Sequence, residues 1–246
     1  MIKQRTKQLL SFHGDPAIKQ KYVNRLKEHR RLGNLQQGTG WGAGKGCAVA
    51  CTLEVYDHTL FPDQLGLPTW LAQLVDTLFE NLPKGKAEQF AEDVLDAIPI
   101  GVDVEPVKHT IANLQLTRLL DIMPSSEEPY YDKVISAIKQ VIEYHKSPSD
   151  NANVAWDAAW DAAWDAAWDA RSAAEAISIA DSTAHCVACA ARSAARSAVM
   201  SMTSLAYSAF DAANAAYTAD RNAACAAWSE AWEKMATDLI IELKKL

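Results

Sequence analysis

From Ser149 to Leu246 the chain contains neither proline nor glycine, and alanine dominates the stretch. Alanine is the strongest helix former and the two absent residues are the strongest breakers, so little other than helix is open to this segment. It begins with a four-residue repeat, Ala155-Trp-Asp-Ala-Ala-Trp-Asp-Ala-Ala-Trp-Asp-Ala-Ala-Trp-Asp-Ala170. Residues four apart on a helix differ by about 40°, so Trp156, Trp160, Trp164 and Trp168 spread over about 120° of one side, with the Asp column about 100° further round. The phase persists at Arg192, Arg196, Trp228 and Trp232. As one rod the segment would be about 147 Å long, against a radius of gyration of about 18 Å for a compact chain of this size. It is therefore expected to fold back as a bundle, with breaks at the polar clusters Asp181–His185, Ser201–Ser204 and Asp220–Asn222.

The first 148 residues read differently, as a helical globular domain, so the chain divides into 1–148 and 149–246 and the fold class is all-α. Asp15-Pro16 supplies an N-cap followed by proline at the first helical position, and Ala17 to Leu32 then runs unbroken to Gly33. Helices are also predicted over Cys47 to about Asp57, from Leu67-Pro68 to Leu82-Pro83, and over Lys86–Ile98, Val107–Ile122 and Tyr130–His145. No run of alternating strand residues appears, which disfavours an α/β nucleotide-binding sheet.

Charge is distributed as unevenly as alanine. Residues 1–46 hold ten Lys/Arg against Asp15 and Glu28, a net of +8, and the remainder holds 14 against 29, a net of −15. The basic part is expected to meet an anion or the protein's own acidic residues. No apolar run approaches the length of a signal peptide or a membrane span, and five cysteines do not suggest a disulfide framework. A cytoplasmic protein with reduced thiols and no membrane association is expected.

The candidate chemistry lies at Gly38-Thr-Gly-Trp-Gly-Ala-Gly-Lys-Gly46, which carries five of the chain's ten glycines and is followed by Cys47. Such a loop can turn backbone N–H groups toward a guest, and a thiol at the start of a helix lies in its positive end, which lowers its pKa. A Walker loop is excluded, because Thr39 stands at the first glycine position and Gly46 follows the lysine. A looser anion cradle built on Gly42, Gly44, Lys45 and Gly46, with help from Arg30 and Arg31, is the leading expectation, with a nucleotide among the candidate guests. The alternative is a transferase or hydrolase in which Cys47 is the nucleophile and His13 or His29 the base. His58 would lie three turns along a straight helix from Cys47, out of reach.

No cofactor is implied and no metal site is expected. His185-Cys186-Val-Ala-Cys189 and Cys225 lack a second ligand pair and sit among alanines, where packing is the better account. Nucleic acid is not favoured as a partner, since the acidic column beside the tryptophans repels phosphates. A third expectation is therefore that the repeat serves protein interaction, with a host protein or with a second copy of the chain.

Taken together, His13-Gly-Asp-Pro16, Lys19, Tyr22, His29, Gly44-Lys-Gly-Cys-Ala-Val49, Cys51-Thr-Leu53, His58, Leu65-Gly-Leu-Pro68, Phe79-Glu80 and Leu82-Pro83 resemble a family of bacterial and phage-encoded proteins of uncharacterised function. Members similarly continue into alanine-rich repeats and end in a short amphipathic helix, here Trp232 to Leu243. The resemblance implies a phage or mobile-element setting and no particular reaction.

Overall fold

The structure, a computed structural model, describes residues 9–122, 129–146 and 221–246. The Trp/Asp repeat, the expected breaks at Asp181–His185 and Ser201–Ser204 and the cysteines at 186 and 189 lie outside the described residues, so the bundle expectation does too; of the third expected break, residues 221 and 222 are described and open a helix. Within the described residues the protein is mostly helical. The helices are α1 (Pro16–Arg31), α2 (Ala48–Leu53), α3 (Phe61–Leu65), α4 (Thr69–Asn81), α5 (Lys84–Ala97), α6 (Glu105–Ile122), α7 (Pro129–Lys146) and α8 (Arg221–Lys244). The only strands among these residues are β1 (Trp41–Gly42) and β2 (Lys45–Gly46), an antiparallel pair. No helix among the described residues is long and apolar enough to cross a membrane.

The chain divides into two compact units, one of Met1–Lys108 with Ala236–Leu246, the other of His109–Met235. In the first, α1 packs on α2 and α5, and α4 packs on α2 and α5. All six residues of α2 are buried between its neighbours. Leu71, Leu74, Val75, Leu78 and Phe79 form the inward face of α4, and Phe90, Ala91, Val94 and Leu95 that of α5. Leu239 and Leu243 near the carboxy terminus are fully buried. In the second unit, α6 buries Ile111, Ala112, Gln115 and Leu116, and α7 buries Ile138, Val141, Ile142 and His145. His109 Nδ1 and His145 Nδ1 lie 2.9 Å apart, so one ring carries the shared proton.

α1 begins as its sequence predicts: the Asp15 side chain accepts from the Ala17 N–H at 2.8 Å, with Pro16 at the first helical position. Several basic residues of the amino-terminal segment meet acceptors within the protein. Arg30 and Lys27 pair with Glu92 of α5, and Arg25 pairs with Glu54 while donating to the Thr52 carbonyl at the end of α2. Lys19 donates to the Asp96 and Ile98 carbonyls, where the last turn of α5 leaves acceptors unpaired.

Two expectations about the region after Gly38 need correction. The glycine-rich segment is a hairpin and not an open loop, closed by Ala43 and Gly44 at φ 51° and 74°. Positive φ at both central positions is the requirement of the turn that matches strand twist, which Gly44 meets freely and Ala43 only under strain. The helix after Cys47 is also shorter than predicted. It stops at Leu53 because Glu54 takes a left-handed conformation, φ 61°, and the chain then turns through Asp57, whose side chain caps a 3-10 turn at His58–Leu60.

Candidate functional site

Cys47 is the N-cap of α2 and is 1% exposed. Its N–H donates to the Thr39 carbonyl at 2.9 Å, and the Gly46 N–H donates to Asn34 at 3.1 Å. The Gly38 N–H donates to Glu80 Oε2 at 2.6 Å. Three backbone donors of the glycine-rich segment are therefore committed inside the protein. Gly46 is needed for contact rather than for a guest, since a Cβ there would overlap the Gly40 carbonyl and meet Ala50 Cβ at 2.8 Å.

The side chain closest in chemistry to Cys47 is Asp76 of α4. Because α2 ends at Leu53, the following turn returns Tyr56 and His58 to this same carboxylate: the Tyr56 hydroxyl donates to Asp76 Oδ2 at 2.9 Å, and His58 Nε2 lies 3.0 Å from it. The second oxygen, Oδ1, is buried without any N–H or O–H donor. Glu80, one helical turn along α4, completes the group. Cys47 Sγ and one carboxylate oxygen each of Asp76 and Glu80 lie within 4.8 Å of one another.

The electrostatics of the cluster follow from burial and from these contacts. Burial works against ionised Asp76, yet hydrogen bonds from His58, the Cys47 thiol and Tyr56 together hold its carboxyl below the usual range. The same contacts act in reverse on the donors. Burial and then Asp76 push the Cys47 thiol up, and Tyr56 is pushed up to about 12 for the same two reasons. Burial raises Cys51 to about 11. Glu80 is raised by burial and by repulsion from Asp76, against the help of the Gly38 N–H. The expected lowering of the Cys47 pKa by a helix terminus is thus reversed, because a six-residue helix contributes less than removal of the thiol from water.

The other sequence candidates are distributed around this cluster. His13 stands at φ 53° in a turn, with Nε2 3.0 Å from the Asp63 carbonyl. His29 approaches Asn34 and meets the edge of Trp41 at 5.8 Å between ring centroids. The hydrogen bonds of both histidines go elsewhere than Cys47. Arg30 is paired with Glu92 and Arg31 with Glu28. Gly42, Gly44 and Lys45 lie exposed at the hairpin tip, and no ion pair of Lys45 occurs among the described residues.

The sequence does not mark Tyr56, Asp76 and Glu80 as site residues, and it puts His58 out of reach of Cys47 only if the helix between them runs straight. A signal for two of them exists: Asp76 and Glu80 are i and i+4 on α4, bordering Val75 and Phe79 of its buried face. Comparison of the chain with protein-family models, with curated proteins and with solved structures finds no match.

Proposed function

We propose that this chain is a binding protein whose site, between the Gly38–Cys47 segment and α4, takes a small cationic ligand. The observation that carries this reading is the buried Asp76 Oδ1, which no N–H or O–H donor reaches, within a group that also holds Glu80. A buried acceptor left unpaired costs about 1–3 kcal/mol, more when it is charged, and a nearby second carboxylate adds repulsion. A cation offsets both. The buried, protonated thiol favours binding over nucleophilic catalysis, because the thiolate is the nucleophile.

The test is thermal unfolding with a panel of cations: methylammonium, guanidinium, Mg²⁺, Ca²⁺, Mn²⁺ and Zn²⁺. At one hundred times its dissociation constant a ligand stabilises the native state by about 2.7 kcal/mol. At least one cation should raise the midpoint of the wild type, and the same cation should act at least tenfold more weakly on Asp76→Asn. No response to any cation, or equal responses in both proteins, would refute the reading.

A second reading retains a small anion, nucleotide included, as guest of the hairpin tip. The exposed Lys45 beside the open faces of Gly42 and Gly44 favours it. Lys45→Ala should then abolish stabilisation by phosphate or nucleotides. For the alanine-rich segment we propose a folded-back helical bundle that binds a host protein or a second copy of the chain, in a cytoplasmic phage or mobile-element setting. Deleting residues 151–220, which keeps the buried Leu239 and Leu243 in place, should then abolish partner binding while the first unit stays folded.

A further inference from the structure

We infer that the ligand of this site is a divalent metal ion of the borderline-soft class, of which Zn²⁺ is the type, bound by Cys47 Sγ and one oxygen each of Asp76 and Glu80. The inference rests on the cationic reading above and narrows it. Mg²⁺ and Ca²⁺ take six to eight oxygens and no sulfur, whereas Zn²⁺ takes thiolate at about 2.3 Å and carboxylate at about 2.0–2.2 Å. An organic cation has no use for a thiol, which is a weak acceptor.

The geometry is close to what such an ion needs. Tetrahedral coordination at those bond lengths sets donor atoms roughly 3.3–3.8 Å apart, and here all three lie within 4.8 Å. Side-chain rotations of about an ångström suffice. Two of the donors sit one turn apart on α4, and the third caps α2, which packs against α4.

Each carboxylate is also held from outside. Asp76 Oδ2 is engaged by Tyr56 and His58, which leaves the buried Oδ1 facing no N–H or O–H donor. Glu80 Oε2 is engaged by the Gly38 N–H. Outer hydrogen bonds that orient the ligating groups are a regular part of metal sites. This arrangement, with a buried oxygen that no N–H or O–H donor reaches beside a thiol that is itself 1% exposed, separates the cluster from a chance meeting of acids.

Binding exchanges a proton for the metal. The S–H bond of Cys47 breaks, its electron pair forms the sulfur–metal bond, and one proton leaves to solvent for each ion bound. Nothing is oxidised or reduced. Three protein donors leave the fourth tetrahedral position to water.

The full chain, freed of metal with a chelator and kept reduced, is titrated with Co²⁺ alone and with Zn²⁺ alone. One equivalent of Co²⁺ should give a near-ultraviolet thiolate-to-cobalt charge-transfer band, with about one proton released at pH 7. The band should survive when Cys186, Cys189 and Cys225 are all replaced by alanine, and vanish in Cys47→Ser. Should Cys47→Ser fail to fold, Glu80→Gln serves in its place. It should keep the band and weaken Zn²⁺ at least tenfold in competition with a chromophoric chelator. Absence of the band in the wild type, its persistence in Cys47→Ser, or unchanged Zn²⁺ affinity in Glu80→Gln would overturn the inference. If another cation still stabilises the wild type through Asp76, the broader reading stands and only the metal falls. If no cation does, both fall.

Discussion

The buried thiols predict an alkaline instability of defined size. Cys47 and Cys51 are 1% and 0% exposed, and burial raises both above the ordinary 9.0, Cys51 to about 11 and Cys47 further. A thiol whose folded pKa is raised keeps its proton in the native state and loses it first in the unfolded chain. Its contribution to stability is therefore whole below pH 9 and declines as pH rises toward the folded value. Between pH 8 and pH 10 the unfolded state gains about 1.4 kcal/mol per thiol, or about 2.7 kcal/mol for the pair. For a chain of this length that corresponds to a fall of roughly 5–10 °C in melting midpoint. Urea unfolding followed by circular dichroism, with reductant and chelator present, measures it directly. The Cys47→Ala/Cys51→Ala variant will be less stable at every pH, but its slope from pH 8 to 10 should be shallower by that amount. A wild-type midpoint that stays flat over this range, or an identical slope in the variant, would mean that the native thiols ionise as readily as exposed ones. The account of the site as a protonated pocket would then be wrong.

Two further outcomes test the hairpin. Gly46→Ala should lower stability by about 3 kcal/mol, because the added Cβ meets the Gly40 backbone and Ala50 rather than a flexible side chain; a loss under about 1 kcal/mol in urea unfolding would show that the hairpin yields. Ala43→Gly should raise stability by about 0.5–1 kcal/mol, since glycine removes the left-handed strain at φ 51°. A lower melting midpoint for that variant would count against the turn as described.

Much of the local structure is legible in the sequence, because it depends on neighbours along the chain. Asp15-Pro16 starts α1 where an N-cap and a ring-locked φ both favour it, and the apolar spacing of α4 and α5 marks their buried faces to within a residue or two. The asymmetry of charge also has a counterpart, with Arg25, Lys27 and Arg30 meeting Glu54 and Glu92. What the glycines do is not legible from their number. Five glycines in nine residues suit an open anion cradle and a tight hairpin equally, and only the partners of Gly38, Gly46 and Cys47 distinguish the two.

The sequence by itself determined that the described residues are mostly helical, where most of the amino-terminal helices begin and end, and that Cys47 follows a backbone of unusual freedom. Only the tertiary structure decided what meets Cys47. One left-handed residue, Glu54, ends α2 early and sends Tyr56 and His58 to Asp76, a residue eighteen positions beyond His58. Burial then outweighs the helix terminus and keeps the thiol protonated. A pKa depends on every group within a few ångströms, and that neighbourhood is assembled by packing rather than by spacing along the chain.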